Sequence, residues 1–354
     1  MKRPHRPSSC CSNACCPSNR DSTRPRFATH GWFQTRSGRR RRRICKVCGT
    51  TASATAGTPY HHMRRPKADL DRALRMSAEG MGVSAIARIL GTSSSTVSRW
   101  LDKAGRHARE FSDEHGQVDE PEELQLDEIK TYGIGEAHDT WCYTAVEVST
   151  RFWAALHVAR RTLRSTLLST RQVRAACGTL AWPILVTTDE FKYYAPCIAR
   201  VFGPTCAYVQ VRNRYRRDRI LRTSSRLVLG PQWRLDFITR YWEEGRRFNT
   251  SYVERHNLYE RRSCSYLHRR TPGRARRTDR LAGALEILRV YYNYVRTHAS
   301  LGSRRTRRTP AMAAGIFTRP LSFRAILSWV PRSHGGPPLR RLTEWTTLGR
   351  RARG

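Results

Sequence analysis

Short apolar runs alternate with longer amphipathic runs between residues 124 and 211, and this alternation restricts the fold more than any other feature. Three strand-like runs come first, and helical and strand-like runs then follow each other. The predicted strands are 124–130, 140–148, 152–158, 183–188 and 205–211, and the predicted helices are 162–177 and 190–201. Strands that follow each other closely pair antiparallel, whereas strands separated by a helix pair parallel. The sequence therefore predicts an α/β fold with a mixed sheet, antiparallel at its start and parallel in its remainder.

The rest of the chain divides by composition. The predicted division is 1–60, a segment rich in cysteine and arginine; 61–110, a helical domain; 111–123, an acidic linker; 124–300, the α/β domain; and 301–354, a basic and poorly ordered tail. Inside the α/β domain, 212–248 is predicted to be irregular, with helices at 251–263 and 279–297. Because residues 1–60 are too polar to build a core alone, that segment needs a staple.

The net charge of +38 indicates a polyanionic partner. Lys and Arg total 66 against 28 acidic residues, and they occur in every third of the chain. Arginine predominates, which suits bidentate phosphate contacts, although a GC-rich genome gives the same bias. An anionic membrane is the competing partner, but no apolar stretch approaches the ~20 residues of a membrane-spanning helix. No apolar signal-peptide segment follows the N-terminus. We therefore expect a soluble, cytoplasmic protein that binds nucleic acid.

Six of the eleven cysteines lie within the first 48 residues, a clustering that favours metal over disulfides in an intracellular chain. The sequence CKVC, followed by a glycine, has the form of a zinc knuckle. A second pair must come from CCSNACC, and the shifted choice of Cys10 and Cys15 stays open there. The favoured ligands are Cys11, Cys16, Cys45 and Cys48. Four thiolates would close a tetrahedral structural Zn²⁺ site.

The segment GWFQTRSGRRRRRI lies between the two cysteine pairs and predicts a β-hairpin. Its five consecutive arginines are Arg39, Arg40, Arg41, Arg42 and Arg43. A solvated run of charge is the structural alternative. Beside a zinc staple, these arginines are predicted to contact the phosphates of DNA.

The segment VSAIARILGTSSSTVSRWL fits a helix-turn-helix. Ala87 is the small residue where the helices approach, Gly91 supplies the turn, and Val97 and Trp100 face the core. The second helix would present five side chains to a major groove: Ser94, Ser95, Ser98, Arg99 and Lys103. An ordinary helix pair is the alternative, but these residue types at these offsets in a basic chain favour DNA binding.

Three acidic residues lie on hydrophobic elements. Asp127 lies in LQLDEIK, Asp189 closes PILVTTD, and Glu254 opens SYVERHNLYERR. Two aspartates on strands and a glutamate on a helix could hold two divalent cations ~3.5–4 Å apart, an arrangement that cleaves and joins phosphodiesters. Asn257 and Arg261 share the helix face of the glutamate, so Arg261 could approach a phosphate beside the metals. This layout is that of an RNase H-like core.

Each of these acids also has a structural explanation. Asp189 could cap the helix that follows it. Glu254 could form a capping box with Ser251, and Asp127 could lie on the polar face of an edge strand. The other eligible acids are Glu128, beside the first aspartate, and Glu260 and Glu286, as weaker candidates for the third position.

The chain resembles the DDE insertion-sequence transposases that combine a zinc ribbon, a helix-turn-helix and an RNase H-like catalytic domain, akin to the insertion-sequence-one family. The likeness covers roughly residues 11–318 and rests on HGWFQTRSGRRRRRICKVCG, SAIARILGTSSSTVSRWL, LQLDEIKTYG, TTDEFKYY, NTSYVERHNLYERR and YYNYVRTHASL, in that order. It implies Asp127, Asp189 and Glu254 as catalytic ligands of Mg²⁺ or Mn²⁺, and Arg261 as the basic residue after the glutamate. It also implies that Zn²⁺ is bound by the four favoured cysteines. Glu190 stands where such proteins often have glycine.

The resemblance implies a prokaryotic, nucleoid-associated transposase that acts on DNA as a homo-oligomer. Such an enzyme binds the terminal inverted repeats of its element, cuts one strand and transfers the freed 3′-hydroxyl to target DNA. A helix-turn-helix transcription regulator with a non-catalytic α/β domain is the main alternative, and an RNA-processing nuclease is the second. Metal-dependent strand cleavage distinguishes the enzyme from the regulator, and preference for duplex DNA ends excludes the nuclease.

Overall fold

The computed structural model describes residues 11, 13, 16, 27–35, 38–216, 219–240, 247–269, 273–303 and 305–330. The strands are β1 (Phe27–Thr35), β2 (Gly38–Cys45), β3 (Thr51–Ser53), β4 (Glu123–Lys130), β5 (Thr140–Glu147), β6 (Trp153–Arg160), β7 (Ile184–Thr188), β8 (Cys206–Arg216) and β9 (Arg219–Leu229). The α-helices are α1 (Lys67–Ala78), α2 (Val83–Ile89), α3 (Ser94–His115), α4 (Leu163–Ala176), α5 (Tyr194–Val201), α6 (Gln232–Thr239), α7 (Ser251–Ser263), α8 (Thr278–Val290), α9 (Pro310–Ala313) and α10 (Phe323–Ser328). A π-helical turn, Tyr291–Val295, continues α8. Within these residues no helix combines the length and the hydrophobicity needed to cross a bilayer.

A six-stranded mixed sheet occupies the centre, in the order β6–β5–β4–β7–β8–β9. Strands β6, β5 and β4 pair antiparallel, β4, β7 and β8 pair parallel, and β9 closes the sheet antiparallel to β8. Every residue of β7 is buried, as expected for a parallel strand that is covered on both faces. The predicted α/β class and the antiparallel start of the sheet are confirmed.

The stretch 212–248, predicted to be irregular, instead contains the end of β8, all of β9 and α6. The prediction was wrong because β9 is an edge strand with little burial. Arg222, Ser224 and Arg226 alternate along one exposed face, so polar residues hide the period of two on which strand prediction depends.

The helix-turn-helix is formed by α1, α2 and α3, and its prediction is confirmed. Gly91 adopts φ +56° in the turn, and the Ser93 hydroxyl accepts a hydrogen bond from the Thr96 amide to cap α3. Helix α3 continues to residue 115, so the predicted linker 111–123 begins as helix. Phe111 explains the extension, because its buried ring packs edge-on against Trp329.

Helices α3 and α8 cross in close contact and join the helix-turn-helix to the sheet. A Cβ placed on Gly105 would lie only 2.6 Å from the Cα of Gly283, so α3 needs glycine at the crossing. One hydrophobic core continues from Leu70 in α1 to Val186 in the sheet. The helix-turn-helix is therefore packed firmly against the α/β part.

The C-terminal segment up to residue 330 is folded onto this core, so the prediction of a poorly ordered tail from residue 301 was wrong for its described part. Phe323, Ile326 and Trp329 are buried. Arg324 forms an ion pair with Asp71 of α1 at 2.5 Å. Helices α9 and α10 are too short to display a helical period in the sequence. Residues 331–354 of the predicted tail lie outside the described residues.

A separate three-stranded antiparallel sheet, β1–β2–β3, carries the predicted hairpin. The register pairs Thr35 with Gly38 at the tip and Phe27 with Cys45 at the base. The strands therefore bring Cys45 beside the N-terminal cysteines.

Candidate functional site

Four cysteine side chains converge at the base of the small sheet, and all four Sγ atoms lie within 4.8 Å of one another. The Sγ atoms of Cys11 and Cys48 are 3.5 Å apart, and those of Cys16 and Cys45 are 3.8 Å apart. Tetrahedral zinc with ~2.3 Å bonds to sulfur requires sulfur atoms about 3.8 Å apart. These four cysteines could therefore bind zinc. The alternative pair, 10 and 15, lies outside the described residues.

The cysteine thiols have unequal proton affinities. Hydrogen bonding to Thr50 lowers the pKa of Cys48 to about 6, whereas burial raises the pKa of Cys11 to about 12. The protein alone keeps the Cys11 thiol protonated, so it does not stabilise four negatively charged thiolates beside one another. A bound cation supplies the missing positive charge, so the donor set fits a metal site.

The β1–β2 hairpin presents arginines around an exposed tryptophan. Trp32 is 53% exposed, and the guanidinium groups of Arg39 and Arg41 lie 5.8 and 5.0 Å from its ring centre. Arg40 has a different role, since it donates to backbone carbonyls of residues 60 and 63 and so ties the hairpin to the next segment. Of the five arginines predicted to contact DNA, three are exposed, Arg39, Arg41 and Arg42, and two are half-buried, Arg40 and Arg43.

Helix α3 displays the side chains predicted for a recognition helix. Val97 and Trp100 are buried in the core. The predicted groove-facing residues are Ser94, Ser95, Arg99 and Lys103, which are exposed, and Ser98, which is half-buried. The capped first turn of α3 is therefore free of the core and can approach a duplex.

Asp127 lies within β4 and Asp189 directly follows the neighbouring strand β7, and their carboxylates lie side by side. Gln125 of β4 pairs with Thr187 of β7 in parallel, and each aspartate lies two residues after its member of this pair. Carboxylate oxygens of Asp127, Asp189 and Glu128 all lie within 4.8 Å of one another. Strand β4 is central, so the explanation of Asp127 as an edge-strand residue fails. The loop after a parallel strand is a common place for a ligand site.

Glu128 belongs to the opposite face of the sheet from Asp127 and has partners of its own. Its buried carboxylate forms an ion pair with Arg161 and accepts a hydrogen bond from Tyr194. Burial is the main reason that its pKa rises to about 7. Neither partner was expected from the sequence, because both contacts depend on how α4 and α5 pack on the sheet.

Asp127 is held by two donors on the face of the sheet that α7 covers. The Asn257 amide donates to one carboxylate oxygen at 2.6 Å, and the backbone N–H of Glu128 donates to the other at 2.8 Å. Burial, followed by the charges of Glu128 and Asp189, raises the pKa of Asp127 to about 8. Such crowding of carboxylates is unfavourable without a cation, and a bound cation would reverse it.

The Asp189 side chain tightens the turn after β7. Its carboxylate accepts the backbone N–H of Phe191 at 3.0 Å. Helix α5 begins at Tyr194 rather than at the predicted residue 190, and Tyr193 is its N-cap. Asp189 is therefore not the cap of that helix.

Glu254 is exposed in the first turn of α7. Its carboxylate accepts hydrogen bonds from the Thr250 hydroxyl at 2.6 Å and the Asn213 amide at 3.5 Å. The predicted capping box is absent from this described helix start, since Thr250 is the N-cap and Ser251 bonds to Asn249 instead. Glu254 is not one of the three carboxylates within 4.8 Å, yet its charge contributes to the raised pKa of the first aspartate.

Glu260, two turns further along α7, is fully buried. The Thr144 hydroxyl donates to it at 2.6 Å, and burial raises its pKa to about 8. His256 lies 3.7 Å away, but burial lowers the pKa of that imidazole to about 3, so it stays neutral. Glu260 is thus fully enclosed by protein, where a divalent cation cannot reach it from solvent.

Two arginines lie near the carboxylates. Arg212 forms an ion pair at 3.3 Å with Glu190, the residue that directly follows Asp189. The guanidinium of Arg261 lies 5.7 Å from the ring centre of Tyr132, and its Nη1 atom has no hydrogen-bond partner among the described residues. The arginine predicted from the helix period therefore has a buried donor that its described neighbours do not satisfy.

One comparison with known proteins gives a match. A family model described as a homeodomain-like domain, of the helix-turn-helix type, matches residues 72–108, which run from α1 into α3. No curated protein matches the chain. The chain thus contains a homeodomain-like helix-turn-helix domain, which indicates DNA binding.

Proposed function

We propose that the protein is a DDE-type transposase that binds the ends of its element and catalyses metal-dependent strand cleavage and strand transfer. The placement of Asp127 and Asp189 side by side on neighbouring strands carries this proposal. A strongly basic chain has little reason to crowd carboxylates unless they hold cations beside a phosphate. The order of strands β4 to β8 in the large sheet agrees with an RNase H-like domain.

DNA binding is assigned to the small sheet and the helix-turn-helix. Zinc held by Cys11, Cys16, Cys45 and Cys48 would staple the sheet, as its few buried side chains require. Arg39, Arg41 and Arg42 would then contact phosphates, and the exposed first turns of α3 would read base edges. Because α3 also packs on α8, binding at this end would orient the DNA relative to the carboxylates.

Catalysis is assigned to the carboxylates above the sheet. Asp127 and Asp189 would hold divalent ions, with Glu254 completing the set. Bound magnesium or manganese supplies activation of water and stabilisation of charge on the phosphate. Asn257 keeps the Asp127 carboxylate in one orientation, and Arg261 would contact the phosphate. The proposed reaction is hydrolysis of one strand, followed by attack of the freed 3′-hydroxyl on target DNA.

The second candidate function is a transcription regulator whose α/β part has no catalytic role. The homeodomain-like match supports either function, since a transposase and a regulator both need specific DNA binding. Strand cleavage separates the two candidates.

The test uses the full-length protein with its zinc and a plasmid that carries the DNA flanking the gene. We expect strand cleavage with added Mg²⁺ or Mn²⁺ and none when both are omitted. Asp127→Asn and Asp189→Asn should each abolish cleavage while DNA binding survives, because an amide removes the charge and keeps the shape. Glu190→Gln, next to the second aspartate, is the matched control and should remain active. Binding without cleavage under all metal conditions would favour the regulator.

The third ligand is tested by a pair of substitutions on one helix. Glu254→Gln should abolish cleavage, whereas Glu260→Gln should retain it, since glutamine can still accept the hydrogen bond from Thr144. The opposite result would transfer the third position to Glu260.

A further inference from the structure

Two exposed tryptophans and a half-buried phenylalanine lie beside the sheet, and we name them the aromatic row: Trp182, Trp233 and Phe237. Trp182 and Trp233 are 64% and 62% exposed. The rings of Trp182 and Phe237 stack at 5.7 Å with 30° between their planes. Trp233 precedes Phe237 by one helical turn, so both lie on the same face of α6. The two tryptophans thus present flat apolar surface to solvent at two places beside Phe237.

Arginines accompany the row. The guanidinium of Arg240 lies 3.7 Å from the ring centre of Phe237, and that of Arg234 lies 5.4 Å from the ring centre of Trp233. A guanidinium over a ring places positive charge beside the π surface. The row therefore offers stacking surface and phosphate-binding charge together.

The row stands on a rigid support. Leu235, on the other side of α6, packs into a buried cluster with Leu185 of β7 and Val209 of β8. Leu185 and Thr187 face the same side of the sheet, and Thr187 is paired with Gln125 of β4. The Gln125 side chain forms hydrogen bonds with the start of α7 on that side. Helices α6 and α7 therefore cover the same face, so the row and Asp127 share one side of the sheet.

We propose that the aromatic row binds unpaired bases of single-stranded DNA. Every base has a π face that can stack on an exposed tryptophan whatever its sequence, and the neighbouring arginines attract the backbone. A second copy of the chain fits less well, because each copy carries a charge of +38 and the row itself is flanked by arginines. The proposal rests on the DNA binding of the proposed function but does not require strand cleavage.

Such a surface suits a reaction that frays DNA. Strand cleavage at a duplex end leaves nucleotides whose bases have lost their partners. A stacking surface on the side of the carboxylates would keep these nucleotides from pairing again. Duplex DNA, whose bases already stack on each other, gains nothing from the row.

The test measures binding of a labelled oligothymidylate of about a dozen nucleotides, a length within the range of known single-strand sites. The full-length protein keeps its zinc, and Mg²⁺ and Mn²⁺ are omitted, so the result does not depend on cleavage. Trp233→Leu should weaken binding of the single strand about 5- to 100-fold, with duplex affinity unchanged. Trp233→Phe should restore most of the affinity, because phenylalanine keeps a ring where leucine keeps only apolar surface.

Controls separate the other occupants. Leu168→Ala removes an exposed apolar side chain from α4 and should change nothing. Full affinity of Trp233→Leu for the single strand, or an equal loss on duplex, would overturn the proposal. A change of sedimentation in Trp233→Leu with unchanged affinity would identify a contact between copies instead. Tighter binding of an oligouridylate of equal length would overturn the assignment to DNA.

Discussion

Replacing Asp127 by asparagine should stabilise the protein when magnesium and manganese are absent. The folded protein crowds this carboxylate against Glu128 and Asp189 and removes it from water, which raises its pKa from 3.8 to about 8. The unfolded chain imposes no such penalty. Replacing a carboxylate that only stabilised the fold would instead lower the stability, since its favourable contacts would be lost.

The sign and the size follow from the two pKa values. The folded state binds the proton more tightly, so its stability is greatest below pH 3.8 and falls as the pH rises towards 8. At neutral pH the penalty is about 4 kcal/mol, since each pKa unit between the unfolded value and the pH corresponds to about 1.4 kcal/mol. Asparagine removes this penalty but can accept only one of the two hydrogen bonds from Asn257 and the Glu128 backbone, a loss of about 1 kcal/mol. The net gain is about 3 kcal/mol.

Urea unfolding of the full-length, zinc-containing protein measures this gain. Asp127→Asn should unfold at higher urea than the wild type at neutral pH, and the difference should shrink as the pH approaches 4. Glu190→Gln is the control: its carboxylate is 49% exposed in a 3.3 Å ion pair with Arg212, so its loss should change stability by less than about 1 kcal/mol. A less stable Asp127→Asn protein at neutral pH would refute the reasoning, as would a gain that does not vary with pH.

Three further predictions concern the DNA-binding part and its support. Cys45→Ser should reduce zinc from about one ion per chain, measured by metal analysis, to a small fraction, because the site closes with four thiolates; full zinc content would exclude this cysteine as a ligand. Arg99→Ala should cost roughly 1–3 kcal/mol on the specific site and less on random DNA, measured by parallel titrations, and equal losses would show a contact to phosphate alone. Gly105→Ala should destabilise the protein by ~1–3 kcal/mol in urea, because its methyl group overlaps the backbone of Gly283; unchanged stability would mean that the two helices separate freely.

The elements that the sequence predicted correctly are those whose period is visible locally. Strand β7 is a continuous apolar run because both of its faces are covered. The helix-turn-helix was recognisable because Gly91 must adopt φ +56° in the turn and Val97 must be buried. The sequence placed Asp127 on the first strand of the large sheet and Asp189 directly after a parallel strand, and the register of Gln125 with Thr187 brings the two together.

The elements that the sequence did not predict depend on contacts between distant segments. Strand β9 has one exposed, arginine-bearing face and therefore no apolar alternation. Helix α10 is only six residues long, and Trp329 after it is buried against three rings of α3, those of His107, Phe111 and His115. The ion pair of Glu128 with Arg161 joins a strand to a loop beyond two further strands. No local pattern encodes such pairings.

The acids near Asp127 differ most in their burial. Glu128 is buried in an ion pair with Arg161, and Glu260 is fully buried and accepts a hydrogen bond from Thr144. Glu254 is the exposed acid, and its hydrogen bonds from Thr250 and Asn213 leave a second carboxylate oxygen to bind a cation. A divalent ion needs ionised oxygen ligands that it can reach from solvent. Within the proposed site, burial therefore favours Glu254 over Glu128 and Glu260 as the third ligand, which is also the residue that we predicted from the sequence.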